Sequence, residues 1–278
     1  MPRREDRPIG VPADAANGKD VENRYTIRAV MRAIDLLNTM SERSGAQELS
    51  DLARQARLPT STAFRYLESM RQRGLVRQAS NGNYQLGARL FELGYAFTRG
   101  VTLWEYAHDL ARDLATRAKE TASVGILDDG RVLYIAIANG QRELGIQWNP
   151  GTRHPAHCTS LGKAILATMP WHSVAKLLES HPLERLTRKT ITDRSLFRKE
   201  LEITSKRGYA IDDEERTAGV ICIGAGIPDY SGAIAGAISL SGPKFRITAR
   251  KVDSYAALVR AAADDASQRL GYVYSEAR

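Results

Sequence analysis

Residues 49 to 87 constrain the fold most, because they place two short helices, a proline-marked turn and a hairpin in immediate succession. We expect the first helix to begin at Ser50 as N-cap and to stop at Leu58-Pro59, since helical backbone is disfavoured before a proline. Gly74 is placed to end the second helix, and Asn81-Gly82 marks a tight turn between LVRQA and YQLG. An amphipathic helix precedes them, with apolar residues three and four positions apart: Ile27, Val30, Met31, Ile34 and Leu37. This order is typical of a winged helix-turn-helix.

The helix after Pro59 has two contrasting faces. Its expected buried stripe is Ala63, Tyr66, Leu67 and Met70. The other face and the hairpin supply the candidate DNA-binding residues, namely Thr60, Ser61, Thr62, Phe64, Arg65 and Arg77. Hydroxyls and arginines suit phosphate and base-edge contacts, and an exposed phenylalanine suits a thymine methyl group. Thr60 or Ser61 is also the expected N-cap. The alternative is a helical domain used for protein contacts, with Phe64 folded beneath the hairpin.

Positive charge is concentrated in the same region. Residues 25–90 hold ten arginines, no lysine and five acidic residues, which accounts for +5 of the chain's net charge of +8. The planar guanidinium binds phosphates and base edges bidentately. An arginine-rich segment beside a nearly neutral remainder is the electrostatic pattern of a nucleic-acid-binding module.

Composition excludes several protein classes. With 278 residues, 43% of them hydrophobic and 26% charged, the chain has the make-up of a soluble protein of two domains. Its longest apolar stretches, Gly219–Ile227 and Ala233–Leu240, are shorter than the roughly 18–20 residues that span a bilayer. Residues 1–24 lack a secretory signal and are expected to be a disordered arm. Cys158 and Cys222 form no disulfide framework and fit a reducing cytosol, so we expect a cytoplasmic protein.

Two helices, Ala88–Thr98 and Thr102–Glu120, are predicted between the domains. The second has an apolar stripe made of Leu103, Tyr106, Ala107, Leu110 and Leu114. From the sequence this stripe packs either on its own domain or on a second subunit. We predict at least a dimer in solution that uses it, because one winged helix offers few contacts for genomic specificity.

Residues 121–278 mix hairpin-connected strands with helices. This pattern indicates an α+β domain built around a largely antiparallel sheet. The expected strands are Ser123–Leu127, Val132–Ala138, Glu143–Gln147, Tyr209–Asp212, Gly219–Ile227 and Ile234–Ser241. The expected helices are Thr159–Met169, Trp171–Glu179, Ser195–Arg207 and Thr248–Leu270.

Several ordered motifs resemble one protein family. LARQARLPTSTAFRYLESMRQRGLV followed by YQLGARLFELG is similar to the DNA-binding half of the IclR family of bacterial regulators. GTRHPAHCTSLGKAILA resembles the family's G…P.H…GKA.LA segment, and GYAIDDEERTAGVICIGAGI with GAIAGAISLSGP resembles its signature region. The resemblance covers about residues 25–275. One departure is Pro228, which lies two positions from the family's usual proline, at a strand end expected to form one rim of the effector pocket.

The resemblance implies a winged helix at 25–87, linker helices at 88–120 and a GAF-like effector domain at 121–278. Family members form dimers, often dimers of dimers, bind palindromic operators and respond to small carboxylates, aromatic acids or sugar acids. Carried onto this chain, the effector pocket consists of Ser160, Leu161, Gly162, Asp212, Cys222, Ser239 and Ser241.

The residue types at these positions agree with a pocket. With Thr159 as N-cap, backbone N–H groups of Leu161 and Gly162 are expected to be free for a carboxylate. Ser239 and Ser241 share one face of a strand and offer two hydroxyls. Asp212 would repel a carboxylate, so we expect it to accept from a ligand hydroxyl or a water, which favours a hydroxy- or keto-acid. The alternatives are a helix cap, strand hydroxyls satisfied by backbone and a core cysteine at Cys222.

Metal and catalytic sites are not supported. His154, His157 and Cys158 lack a second cluster to complete a zinc site, and we expect no cofactor. Cys222 with His157 would lack an orienting acid and an oxyanion hole. Apart from Asp212, the acidic run to Glu215 is expected to be a solvated turn. The sequence therefore predicts a ligand-responsive transcription factor; the alternative is a metabolite-modifying enzyme or sensor whose helical domain pairs subunits.

Overall fold

The computed structural model describes residues 26–98, 103–142 and 145–272. The chain divides into two compact units, Met1–Phe97 and Thr98–Arg278. The expected arm at residues 1–24 lies outside the described residues. Of the two predicted linker helices, the first lies in the first unit apart from Thr98, and the second lies in the second unit.

The first unit contains four helices and a short hairpin among its described residues. These are α1 (Arg28–Ser41), α2 (Leu49–Gln55), α3 (Thr60–Gln72), β1 (Val76–Gln78), β2 (Tyr84–Leu86) and α4 (Ala88–Thr98). Its core draws on α1, α2, α3 and the hairpin: Leu36, Met40, Leu52, Ala53, Ala63, Leu67, Met70, Val76 and Tyr84. The predicted winged helix-turn-helix is confirmed, with β1 and β2 as the antiparallel wing.

The turns agree with the sequence, but the predicted caps are wrong. Gly74 and Gly82 both have positive φ, as the helix end and the hairpin turn require. Pro59, not a hydroxyl residue, precedes α3, and neither Thr60 nor Ser61 caps it. Ser50 lies inside α2 and donates to the carboxylate of Glu48 at 3.4 Å. The proline's fixed φ starts α3 without a side-chain acceptor.

Helix α1 buries a different stripe from the one predicted. Leu36 and Met40 are its buried residues. Four of the five residues of the predicted apolar stripe are exposed: Ile27, Val30, Met31 and Ile34. Helix α4 likewise exposes Phe91, at 76%, and Tyr95, at 55%. Both helices therefore present large apolar side chains that the described residues do not cover.

The second unit is built around one six-stranded sheet. Its strand order is β5-β4-β3-β8-β7-β6, and every neighbouring pair is antiparallel. The strands are β3 (Thr121–Asp128), β4 (Arg131–Ala138), β5 (Arg153–Pro155), β6 (Ala210–Asp213), β7 (Val220–Pro228) and β8 (Ile234–Pro243). The helices are α5 (Trp104–Ala118), α6 (Ser160–Leu166), α7 (Trp171–Ser180), α8 (Arg194–Arg207) and α9 (Ala249–Arg269), with a 3-10 turn at Ala156–Cys158. The predicted α+β class with an antiparallel sheet is confirmed.

Each face of the sheet has its own hydrophobic core. Helices α5 and α9 cover one face, and α6, α7 and α8 cover the other. The α5 stripe is buried on its own sheet, with Leu103 and Leu114 fully buried, so the expectation that it forms a subunit interface is wrong.

Two smaller findings complete the fold. Gly145–Gln147 form no strand, whereas Glu143 and Leu144 lie outside the described residues; the strand on this edge is β5 instead. Among the described residues, no helix combines the length and apolarity that crossing a bilayer requires.

Candidate functional site

Helix α3 presents the predicted polar face outward. Thr60, Ser61 and Arg65 are exposed, Thr62 is half-buried, and Phe64 is 46% exposed. Phe64 is therefore not folded beneath the wing. Because neither Thr60 nor Ser61 caps the helix, the side chains of both residues remain available for a ligand.

The wing and the later turns of α3 add further charges. Arg77 is exposed on β1, opposite Gln85 of β2, and its guanidinium lies 2.7 Å from the Gln85 amide. Arg71 is paired within the helix, at 2.6 Å from Glu68. Arg65 and Arg77 are thus the arginines of α3 and the wing best placed for phosphate or base contacts.

The second unit contains a narrow, largely enclosed polar cavity on the α6 face of the sheet. It is lined by Tyr134, Trp148, Thr159, Ser160, Asp212, Arg216, Thr217, Val220, Cys222, Ser239 and Ser241. The cavity and its opening together span about 270 Å³, and nearly all of this space is too narrow for a water molecule. The cavity in this conformation admits about one water molecule, so a larger ligand requires side chains to move.

Strand register explains why polar groups converge there. Cys222 of β7 pairs with Asp212 of β6 and with Ser241 of β8, so their side chains point to one face. Ser239 of β8 pairs with Ser123 of β3 on the same face. The Ser123 hydroxyl is buried and has no hydrogen-bond partner among the described residues.

Five of the seven predicted pocket residues line the cavity: Ser160, Asp212, Cys222, Ser239 and Ser241. Leu161 and Gly162 do not. Leu161 is fully buried in the hydrophobic core of this face. The N–H of Gly162 donates to Thr159 Oγ1 at 3.1 Å. The expectation that this N–H is free to bind a carboxylate is therefore wrong. Gly162 is required instead by packing, since a Cβ there would lie 2.1 Å from the carbonyl oxygen of Ala156.

Asp212 organises the connection between β6 and β7. Its buried carboxylate accepts from the backbone N–H of Glu215 at 2.8 Å and of Arg216 at 3.3 Å. Burial raises the pKa of Asp212 to about 6, against the opposing effect of Lys163 and these two N–H groups. Asp212 is thus an acceptor already holding two donors, with a carboxyl group that titrates near neutral pH.

Cys222 is unsuited to nucleophilic chemistry. The hydroxyl of Ser241 donates to its Sγ at 3.1 Å. Burial raises the pKa of the Cys222 thiol well above its usual value, so the thiolate is disfavoured. The residue forms a small, soft, neutral part of the wall.

Arg216 is the charged residue among the cavity-lining residues that sequence reasoning missed. Its guanidinium lies 4.2 Å from the centroid of the Trp148 ring, and its Nη2 lies 2.9–3.0 Å from the ring nitrogens of His154. Burial, followed by the charge of Arg216, lowers the pKa of His154 to about 4, so the imidazole is neutral and accepts. His154 is 62 residues away and on the opposite edge strand of the sheet, which therefore curls until its two edges meet around the cavity.

The acidic run is not a solvated turn. Glu215 is buried and paired with Lys163 of α6, which is itself fully buried. Lys163 also contacts Glu200 of α8 at 3.2 Å, and Arg207 binds the same carboxylate at 3.1 Å. Burial raises the pKa of Glu215 to about 7. A lysine inside the apolar LGKAILA segment is the signal that implies such a buried acidic partner.

The residues considered for a metal are engaged elsewhere. His157 contacts the carbonyl oxygen of Glu184 at 2.9 Å, and the Cys158 thiol faces that of Pro155. No cluster of three or more potential metal ligands occurs in the described ranges. Pro228, expected at the pocket rim, is the last residue of β7 and lines a different and wider cavity.

Two family models match the two parts of the chain. Residues 29–80 match the family model described as the IclR helix-turn-helix domain, and residues 96–268 match bacterial transcriptional regulator IclR C-terminal. The chain belongs to the IclR family. HTH-type transcriptional regulator BhcR of Paracoccus denitrificans is 35% identical over 262 residues, 94% of each chain.

Solved IclR structures share the fold. IclR of Thermotoga maritima is 28% identical with a TM-score of 0.75, covering 87% of this chain and 98% of its own. An IclR homolog of Microbacterium hydrocarbonoxydans, complexed with 4-hydroxybenzoate, is 26% identical with a TM-score of 0.74, covering 87% and 99%. This IclR-family chain is therefore a DNA-binding transcriptional regulator with a C-terminal effector domain, and not an enzyme.

Proposed function

We propose that this regulator controls a catabolic operon and that a small hydroxy-, keto- or aromatic acid bound in the cavity changes its affinity for the operator. One observation carries the proposal. Three strands and α6 bring Ser160, Asp212, Cys222, Ser239 and Ser241 around one buried polar space. Removing these polar groups from water costs free energy, and a ligand that forms hydrogen bonds with them offsets that cost.

The chemistry of the wall favours an acid that carries a second oxygen. Ser239 supplies a hydroxyl donor, Ser241 supplies a second one if it exchanges its bond to the Cys222 sulfur for the ligand, and the buried Asp212 is an acceptor for a ligand hydroxyl or a bridging water. A relative of known structure holds 4-hydroxybenzoate, which combines a carboxylate with a hydroxyl. That complex supports, for this chain, the choice of hydroxylated acids as the first probes.

We propose a palindromic operator read by two copies of α3, with Thr60, Ser61, Thr62, Phe64 and Arg65 at base edges and phosphates and Arg77 at the backbone. A two-fold pair of winged helices reads half-sites about one helical turn, or a multiple of it, apart. The exposed apolar residues of α1 and α4 supply the surface between the copies.

The effector proposal is tested by the double variant Ser239→Ala, Ser241→Ala. We expect it to bind operator as the wild type does but to lose the response to acids, because both hydroxyl donors are removed from the cavity alone. Calorimetry with pyruvate, lactate and 4-hydroxybenzoate measures binding, and a gel shift measures the response. Ser254→Ala, a hydroxyl on α9 outside the cavity, is the matched control. Unchanged acid affinity in the double variant would place the effector elsewhere in the second unit.

A further inference from the structure

Arg216 differs from the other buried or half-buried cations around the cavity. Lys163 is paired with Glu215 and Glu200, and Arg207 is paired with Glu200. Arg216 has an aromatic face at Trp148 and neutral acceptors at His154 and Thr217, but no carboxylate of the described residues forms an ion pair with it. A guanidinium partly removed from water and left without an anion is a receptor for one.

Asp212, the nearby acid, does not fill this role. Its carboxylate accepts from two backbone N–H groups, one of which belongs to Arg216 itself. His154 does not compete for an anion, because it is neutral and serves as an acceptor for the Arg216 Nη2. The positive charge of Arg216 is thus held in a wall that the hydroxyls of β8 also line.

The narrowness of the cavity gives Arg216 a second role. Most of the lining is carried by strands whose backbones are fixed by the ladder, whereas Arg216 lies on the connection between β6 and β7. Its guanidinium is held by the Trp148 ring, Thr217 and His154, so an incoming carboxylate has no ion pair among the described residues to break when it displaces the guanidinium. Displacement of the guanidinium from the Trp148 ring would widen the space beside it.

We propose that Arg216 binds the carboxylate of the effector, and that before binding Trp148 and His154 hold its guanidinium over the space that the acid enters. This inference rests on the effector site proposed above and names the ligand class of that site: small monocarboxylates that take both arms of the guanidinium. It replaces the backbone of Gly162, whose N–H is already bonded, as the seat of the carboxylate.

The test compares acids with their neutral amides on the full-length protein. Pyruvate, lactate and 4-hydroxybenzoate, and pyruvamide, lactamide and 4-hydroxybenzamide, are titrated by calorimetry into the wild type, R216Q and R216K. Arg153→Gln is the matched control, since it removes an equal charge next to His154 from a side chain that pairs with Asp128 at the surface.

We expect at least one acid to bind the wild type and R153Q about equally, and its amide to bind at least about 30-fold more weakly. R216Q is expected to lose about 30-fold in acid affinity, which is about 2 kcal/mol at 1.4 kcal/mol per tenfold. R216K should lose less, because the charge remains while the bidentate geometry is lost. In a W104F, W171F background Trp148 is the single tryptophan. Adding the acid should change its fluorescence emission, and R216Q in the same background should abolish that change.

The possible failures are distinguishable. If R216Q keeps wild-type acid affinity while the Ser239→Ala, Ser241→Ala variant loses it, the cavity proposal stands and the assignment to Arg216 is overturned. Equal binding of acid and amide by the wild type overturns it without any variant. Binding of no acid by the wild type removes both the inference and the proposed effector class.

Discussion

Asp212 brings an ionisable group into a cavity wall where only 2% of the residue is exposed. Groups facing it are Lys163 of α6, Arg216 and Glu215 of the β6–β7 connection, Cys222 of β7, Cys158 and Tyr134. Its pKa of about 6 lies above the usual 3.8, so the folded state binds more protons than the unfolded chain between these values. The stability that Asp212 contributes is therefore full below about pH 4 and is lost as pH rises through 6.

This linkage predicts the behaviour of Asp212→Asn. The amide keeps an oxygen for the N–H groups of Glu215 and Arg216 but removes the charge. We expect the variant to gain up to about 3 kcal/mol over the wild type at pH 8, and the gain to shrink as pH falls from 6 to 4. Urea unfolding at several pH values measures the difference, in which the shared titration of His154 cancels; the pKa of Glu215, which the Asp212 charge raises, falls in the variant and adds to the difference. A difference independent of pH would contradict the prediction.

Of all the elements, helix α3 could be predicted best from its sequence. The spacing of its apolar residues predicts which face is buried and which is exposed, and Gly74 predicts where the helix ends. The same periodicity also located α1 and α5, but it does not say what covers an apolar stripe. The stripe of α5 lies on its own sheet, whereas the similar stripe of α1 is left exposed. Coverage depends on tertiary packing, which spacing along one helix does not contain.

The exposed face of α3 predicts two kinds of DNA contact. Against a site selected by the wild type from random DNA, Arg65→Ala should lose about 1–3 kcal/mol and relax base preference, if Arg65 reads a base. Arg77→Ala on the wing should weaken binding to all sequences and lower the salt dependence by about one ion. Arg71→Ala is the control on the same helix, because this arginine is paired with Glu68. A gel shift with Arg65→Ala indistinguishable from wild type would remove the recognition-helix assignment.

At the scale of the molecule, the curl of the sheet determines which residues line the cavity. Alternation along β8 predicted that Ser239 and Ser241 share a face, since side-chain direction has a period of two. Arg216 escaped prediction because its partners, Trp148 and His154, come from the other edge of the sheet and meet it only when the sheet curls. Local pattern thus gives the residues of one strand, while contacts between distant edges require the whole fold.

Assembly belongs to the same scale. Val30 of α1 is 51% exposed and Phe91 of α4 is 76% exposed, although each lies on an apolar face of its helix. Contiguous exposed apolar residues on a folded protein mark an interaction surface, and a palindromic site requires a second copy. With α5 buried against its own sheet, we expect α1 and α4 to supply the pairing surface, because among the described residues they lie in the unit that carries the winged helix.

We therefore expect the wild type to be at least a dimer at micromolar concentration, and Val30→Glu with Phe91→Glu to make it monomeric. The charges should leave the fold intact because both side chains are exposed, and should weaken binding to a full operator far more than to a single half-site. Light scattering on the eluting protein measures the mass, and Leu196→Glu, an equally exposed leucine on α8, is the control that should remain dimeric. A wild-type monomer that still binds the operator tightly would show that one copy suffices, and a dimeric double variant would place the interface elsewhere.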